Sequence, residues 1–261
     1  PLPSPSSSSI PPRPQPYAPS SAEAKKLQSM HGYFSNPALE VAVKEGDEQN
    51  RAFDEWERMY LSKEMMIRFL TATKWNLPAA QKRLEANMVW RRTLGLYDVE
   101  GLAEELAPEF ETGKIIILGY TRLCHPILFT WPSKNNQPAS FRQVKHMMFV
   151  VERTIDLTVA GVQGILFCAD LSGKAQTGSG VMSVSRQILN GLQTQYPERL
   201  GGAALLKMPW LGSLFVTLLW PFIDSYTRNK IHTNPDLSKD LVDPSQLMVQ
   251  YGGNLQAGRI G

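Results

Sequence analysis

Two cysteines, Cys124 and Cys168, are all that the 261 residues contain. They make no disulfide framework and no Cys-x-x-Cys metal knuckle, so a reducing compartment is expected and the core must hold itself together by burial alone. Motifs of the common catalytic sites are equally scarce. The four histidines, His31, His125, His146 and His232, fall in no HExxH or HxxxH spacing. Gly178–Ser179–Gly180 belongs to no GxSxG elbow, Ser183 stands where a GxGxxG loop needs its third glycine, and no GxxxxGK[ST] loop occurs. Metal-protease, nucleophile-elbow, dinucleotide and P-loop chemistry are therefore not indicated, and neither is a cofactor or metal. The net charge of +3 is too small an excess to point to nucleic acid, although it suits an anionic membrane surface. A membrane span is also missing. The charge-free run Met208–Ile223 (MPWLGSLFVTLLWPFI) is shorter than the roughly 18–20 apolar residues a crossing needs, and Pro209 and Pro221 bound it.

What is present is unevenly distributed. Eight of the nineteen prolines and six serines fall in the first twenty residues, which read as a disordered tail (residues 1–20). The tail lacks the apolar region of a secretory signal and starts with Pro rather than Met, so a longer native chain is expected. From residue 21 to 105 the pattern is helical. Ala52, Phe53, Trp56, Met59 and Tyr60 predict a helix over 48–60. Ser62 is an N-cap for a helix carrying Met65, Met66, Phe69 and Leu70, and Pro78 opens another that presents Leu77, Ala80, Leu84 and Met88 and stops at Gly95. An all-helical subdomain follows.

Beyond Gly113 the periodicity changes. Four short aliphatic runs (Lys114–Tyr120, Pro126–Trp131, Ile165–Leu171 and Ala203–Met208) are of strand length, and helical segments at 140–157 and 180–195 lie between them. Alternation of this kind predicts an α/β unit over residues 106–255 with a mainly parallel sheet, and the charge-poor strands predict burial on both faces. Asp170, at a strand end, reads as a structural acceptor more readily than as a lone acid or base. Thr227 and Lys230 are three residues apart, so a helix there would put a hydroxyl and an ammonium on one side. With an acid such as Glu198 they could hold a polyhydroxylated phosphate head group; a capping threonine and a surface lysine are the plainer alternative.

Three blocks carry a resemblance. Ile67–Trp75 (IRFLTATKW) with Trp90–Arg91, then Tyr196–Gly201 (YPERLG), and Pro221–Ile231 (PFIDSYTRNKI) with Tyr251–Gly253 (YGG) occur in the order typical of the Sec14-like CRAL-TRIO lipid-transfer family. The chain resembles that family over about residues 50–255, and the TATKW form resembles its fungal phosphatidylinositol-transfer branch. The resemblance implies a CRAL-TRIO fold with an N-terminal helical subdomain and an apolar lipid cavity. It implies a non-enzymatic carrier that binds phosphatidylinositol, with no cofactor, and moves it between membranes. The charge-free run 208–223 would be the gate that opens at the bilayer.

By the same resemblance, Glu198, Thr227 and Lys230 would contact the inositol head group, with Asp224 in the same segment. The family's basic pair falls on Thr73 and Lys74, where one arginine has become threonine. Gate and cavity would be lined by Ile165, Phe167, Trp210, Leu214, Phe215, Leu218, Leu219 and Phe222. The strand positions at which relatives use Ser and Thr for phosphatidylcholine are Ile165 and Phe167 here, and neither donates a hydrogen bond. Weak or absent phosphatidylcholine exchange is expected, with a sterol or another hydrophobe as an alternative or second ligand. A lipid-presenting regulator of phosphoinositide synthesis is a further alternative. The expected setting is the cytoplasm, peripheral on internal membranes, with a transient membrane surface as partner and no nucleic acid.

Overall fold

The computed structural model describes residues 20–208, 220–223 and 225–256. They divide into two compact units at Glu105/Leu106.

In the first unit each helix is started by a side chain. α1 (Ser21–Phe34) begins with a capping box between Ser20 and Glu23 and buries Leu27, Met30 and Phe34. α2 (Glu55–Tyr60) repeats the device with Asp54 and Glu57. The hydroxyl of Ser62 caps α3 (Lys63–Ala72), and the side chain of Asn76 caps α4 (Leu77–Leu94), which ends on Gly95 at φ 75°. α5 (Val99–Phe110) follows. Met30, Phe34, Met66, Phe69, Leu70, Leu84 and Met88 make the core.

This unit is not all helix. Residues 50–52 were expected to be helical, but they form β2 (Asn50–Ala52), paired antiparallel with β1 (Glu40–Ala42). The helix starts only after Asp54 because that carboxylate takes the Glu57 N–H and fixes the first turn. The Glu57 side chain is fully buried and receives Arg92 Nε at 2.5 Å and Arg51 Nη1 at 2.9 Å, while Arg92 Nη1 also donates to the carbonyls of Val41 and Ala42. The buried ion pair, together with Val41, which enters the core of the unit, therefore ties the ribbon to α2 and α4.

The second unit is built on a five-stranded sheet: β3 (Ile115–Tyr120), β4 (Pro126–Thr130), β5 (Ile165–Asp170), β6 (Leu200–Leu206) and β7 (Ile231–Thr233), adjacent in that order. β3 is antiparallel to β4 and the remaining pairs are parallel. α6 (Phe141–Asp156) and α7 (Ser179–Gln195) connect the central strands; α8 (Ser225–Arg228) and α9 (Leu237–Asp240) are single turns. The mainly parallel sheet flanked by helices agrees with the expected α/β architecture.

The two faces of the sheet differ, which corrects the expectation that both are buried. One face presents Ile127, Phe129, Trp131, Leu166, Cys168, Ala204 and Leu206, sealed by Leu237, Val242, Leu247 and Met248 from the C-terminal segment. The other face is only partly covered. α6 packs on β3 and β4, and α7 packs beside α6 and against the 3-10 turn Trp220–Phe222. Phe167, Ala169, Ala203 and Leu205 lie side by side in register on β5 and β6, and all are half-buried. α7 has the apolar spacing of a core helix, yet within it only Val184 and Gly191 are buried; Val181, Ile188 and Leu192 stay partly exposed. An apolar helix and an apolar sheet face thus both stop short of full burial on the same side of the sheet, and a ligand of low polarity is what such surfaces accommodate.

Candidate functional site

The open face has a polar rim where β5 and β6 begin. Tyr196 ends α7, and the chain turns through Glu198, held at φ 58°, before β6 starts at Leu200. Lys230 sits in the turn between α8 and β7. Its backbone N–H donates to the carbonyl of Thr227 (3.0 Å), and its Nζ donates to the carbonyl of Leu200 (2.8 Å). The fold therefore brings Thr227 and Lys230 to the YPERLG turn that contains Glu198, although some thirty residues separate them in sequence. All three side chains are half-buried. Thr227 and Lys230 do not share a helix, because α8 ends at Arg228; the turn, not a helical face, sets them together.

His125 was not among the expected residues and is found at the same place. Burial first, and the Lys230 charge second, lower its pKa. Nothing in its spacing marks it; only the preceding turn and the sheet register bring it there.

The other expected residues are dispersed. Thr73 and Lys74 belong to the helical unit, where the Thr73 hydroxyl closes α3 by donating to the Phe69 carbonyl (2.9 Å) and Lys74 is exposed at φ 52°. Phe167 lies on the half-open face, and Ile165, one step earlier on that face, is buried. Phe222 is exposed, with the Arg186 guanidinium 4.7 Å from its ring centroid. Trp210, Leu214, Phe215, Leu218, Leu219 and Asp224 lie outside the described residues.

The two ends of the expected gate are tied to the rest of the unit. Lys207, at φ 49°, places Nζ 3.1 Å from Asp170 Oδ2, and the Met208 N–H donates to Asn234 Oδ1 (2.9 Å). On the far side Arg228 donates to the carbonyls of Ile223 (2.8 Å) and Trp220 (3.1 Å). Asp170 is nearly fully buried. It accepts from the Ser172 N–H (2.9 Å) and the Tyr251 hydroxyl (2.6 Å); burial would raise its pKa, but these bonds and Lys207 override it and hold the carboxyl down at about 2. A carboxylate so fully engaged is a structural acceptor, as its position at the strand end suggested. Among the described residues no group of His, Cys, Asp or Glu could hold a metal ion, and no helix is long and apolar enough to cross a membrane.

The half-open apolar sheet face, with Lys230, Glu198 and Thr227 near the start of its strands, and the mainly parallel sheet flanked by helices are features of a lipid-binding fold. The chain belongs to the CRAL/TRIO family: the CRAL/TRIO domain model matches residues 110–253, and the CRAL/TRIO N-terminal domain model matches residues 26–86. It is 34% identical over 83% of its length to a CRAL-TRIO domain-containing protein of Schizosaccharomyces pombe, covering 21% of that protein. Over 88% of its length it is 32% identical to the phosphatidylinositol transfer protein PDR17 of Saccharomyces cerevisiae, covering 70% of it. Patellin-3 of Arabidopsis thaliana is 24% identical, with 42% of its length covered. The chain thus spans a fifth of one of these relatives and less than half of another. The crystal structure of Sfh5 superposes with a TM-score of 0.63 at 15% identity, covering 90% of this chain and 88% of that one, which establishes the fold.

Proposed function

We propose that this chain binds phosphatidylinositol and carries it between membranes without altering it. The observation that supports the reading most strongly is the unfinished burial of Phe167, Ala169, Ala203 and Leu205 beside a polar rim containing Lys230, Glu198 and Thr227. Acyl chains would cover the apolar face, and the phosphate and inositol would meet the rim. The similarity to a protein named for phosphatidylinositol transfer supports the same ligand.

The physical need for such a site is clear. A diacyl lipid drawn into water exposes on the order of 30 methylenes, at about 0.8 kcal/mol each, so roughly 25 kcal/mol opposes transfer without a carrier. An apolar site offsets most of that. Residues 208–223 would act as the gate, working at the cytoplasmic surface of a membrane, with Trp220 and Phe222 at its edge.

Anionic membranes suit this surface. From Leu171 to Ile223 there is one acid, Glu198, against four bases, Lys174, Arg186, Arg199 and Lys207. Arg186 and Arg228 lie over the exposed rings of Phe222 and Trp220, and aromatic rings paired with cations are at home in the interfacial zone. A sterol carrier is the second reading, favoured by the apolar side chains of Ile165 and Phe167.

Vesicle-to-vesicle transfer of labelled phosphatidylinositol tests the proposal. Wild type should transfer it, with Lys230→Ala and Glu198→Ala impaired; undiminished transfer by both variants would remove the assigned rim, and transfer of sterol alone would favour the second reading.

A further inference from the structure

His125 is built into the rim rather than placed there by chance. Its position begins at Thr121, whose hydroxyl accepts the N–H groups of Leu123 (3.2 Å) and His125 (3.1 Å) and so folds the β3–β4 connection. Cys124, fully buried, is forced to φ 59°. A left-handed β-carbon-bearing residue costs on the order of 1–2 kcal/mol, and the strain turns the next side chain toward the start of the sheet.

Two glycines clear the place where the imidazole lies. A Cβ on Gly201 would come 2.5 Å from Nδ1, and one on Gly164, which would first meet the Gly201 backbone at 2.8 Å, would come 3.2 Å from Nε2. These glycines sit on β6 and just before β5, so the ring lies across the edge where both strands begin. Among the described residues the imidazole makes no hydrogen bond. It remains half-buried, close enough to Lys230 to feel its charge.

We propose that His125 is a head-group-contacting residue that distinguishes a polyol from a quaternary ammonium: its ring offers one N–H and one lone pair to ligand hydroxyls, beside the lysine that meets the phosphate. A hydroxyl can both donate and accept, as a neutral imidazole can, whereas a trimethylammonium group can do neither. Burial and the neighbouring ammonium favour that neutral form, leaving the positive charge to Lys230. The inference rests on the proposed phosphatidylinositol site and adds the group that selects its head.

The test uses the full chain and mixed vesicles carrying labelled phosphatidylinositol, phosphatidylcholine and sterol, with the lipid taken up measured for wild type, His125→Ala, His125→Gln and Gly201→Ala. His125→Ala should lower phosphatidylinositol uptake about fivefold relative to sterol, the worth of one buried hydrogen bond, and His125→Gln, which keeps a donor and an acceptor, should recover most of it. Gly201→Ala, which drives a methyl group into the ring, should reproduce the loss. An unchanged ratio of phosphatidylinositol to sterol in His125→Ala would overturn the inference, as would an equal fall for all three lipids, since either result leaves the residue without a role in selection. Failure of the wild type to take up phosphatidylinositol would instead overturn the proposed function itself, before any variant is compared.

Discussion

Replacing Tyr251 by Phe isolates one hydroxyl and shows what holds the C-terminal segment on the sheet. That hydroxyl donates to Asp170 (2.6 Å) and accepts from Trp131 Nε1 (3.0 Å), while the ring stacks on Phe129 with centroids 5.4 Å apart and planes 1° from parallel. Tyr251→Phe keeps the stack and removes both hydrogen bonds. Asp170 retains Ser172 and Lys207, so it loses one charge-assisted bond of several, and the Trp131 N–H loses its acceptor. A net loss of about 2 kcal/mol is expected. For a unit of this size that lowers the melting temperature by about 4–8 °C. Differential scanning calorimetry at pH 7 measures it.

The variant also has a signature in acid. Asp170 has a folded pKa of about 2, below its ordinary 3.8, so its stabilising contribution is complete above 3.8 and is lost as pH falls through about 2. Without the Tyr251 donor the folded pKa rises toward 3.8, so the contribution shrinks and its loss, which still begins near 3.8, is complete at a higher pH. An unchanged melting temperature, or an acid-unfolding curve that coincides with that of the wild type, would refute the reasoning.

Three other outcomes are expected. Arg92→Met leaves the fully buried Glu57 carboxylate short of its main partner and should destabilise the helical unit by about 3–5 kcal/mol, read as loss of protection from limited proteolysis across residues 40–60. Arg186→Gln should reduce binding to anionic vesicles about fivefold, since one basic residue near such a surface is worth about 1 kcal/mol, and should leave binding to neutral vesicles unchanged. Ile165→Ser with Phe167→Thr supplies hydroxyls to the face where β5 begins and should raise phosphatidylcholine uptake in a vesicle extraction assay; no rise would show that these two side chains do not set the choice.

Much of the architecture could be read in the sequence because its signals are local. Ser62, Leu77–Pro78 and Gly95 bracket their helices through backbone chemistry within a few residues, and four of the five strands announce themselves as aliphatic runs, whereas the three-residue β7 is too short and too polar to do so. The β1–β2 ribbon escaped because it is held by Arg92, some forty to fifty residues away, and not by alternation of its own.

The sheet's asymmetry escaped for a similar reason. Phe167 and Leu166 look alike in a list of apolar residues, and only the C-terminal segment, folding back to cover one face, makes them differ. Of the proposed rim, Glu198, Thr227 and Lys230 were singled out in the sequence by the motifs that contain them. His125 was not, because what defines its place is the absence of two side chains on neighbouring strands, and a missing Cβ at Gly164 or Gly201 carries no sign of which ring will fill the space.

The central claim concerns the passenger, and lipid mass spectrometry of the purified chain tests it most directly. Phosphatidylinositol should dominate the lipid that copurifies with the wild type and be depleted when Lys230 is replaced by Ala. Sterol or phosphatidylcholine as the dominant lipid, or a phosphatidylinositol content untouched by Lys230→Ala, would contradict the account.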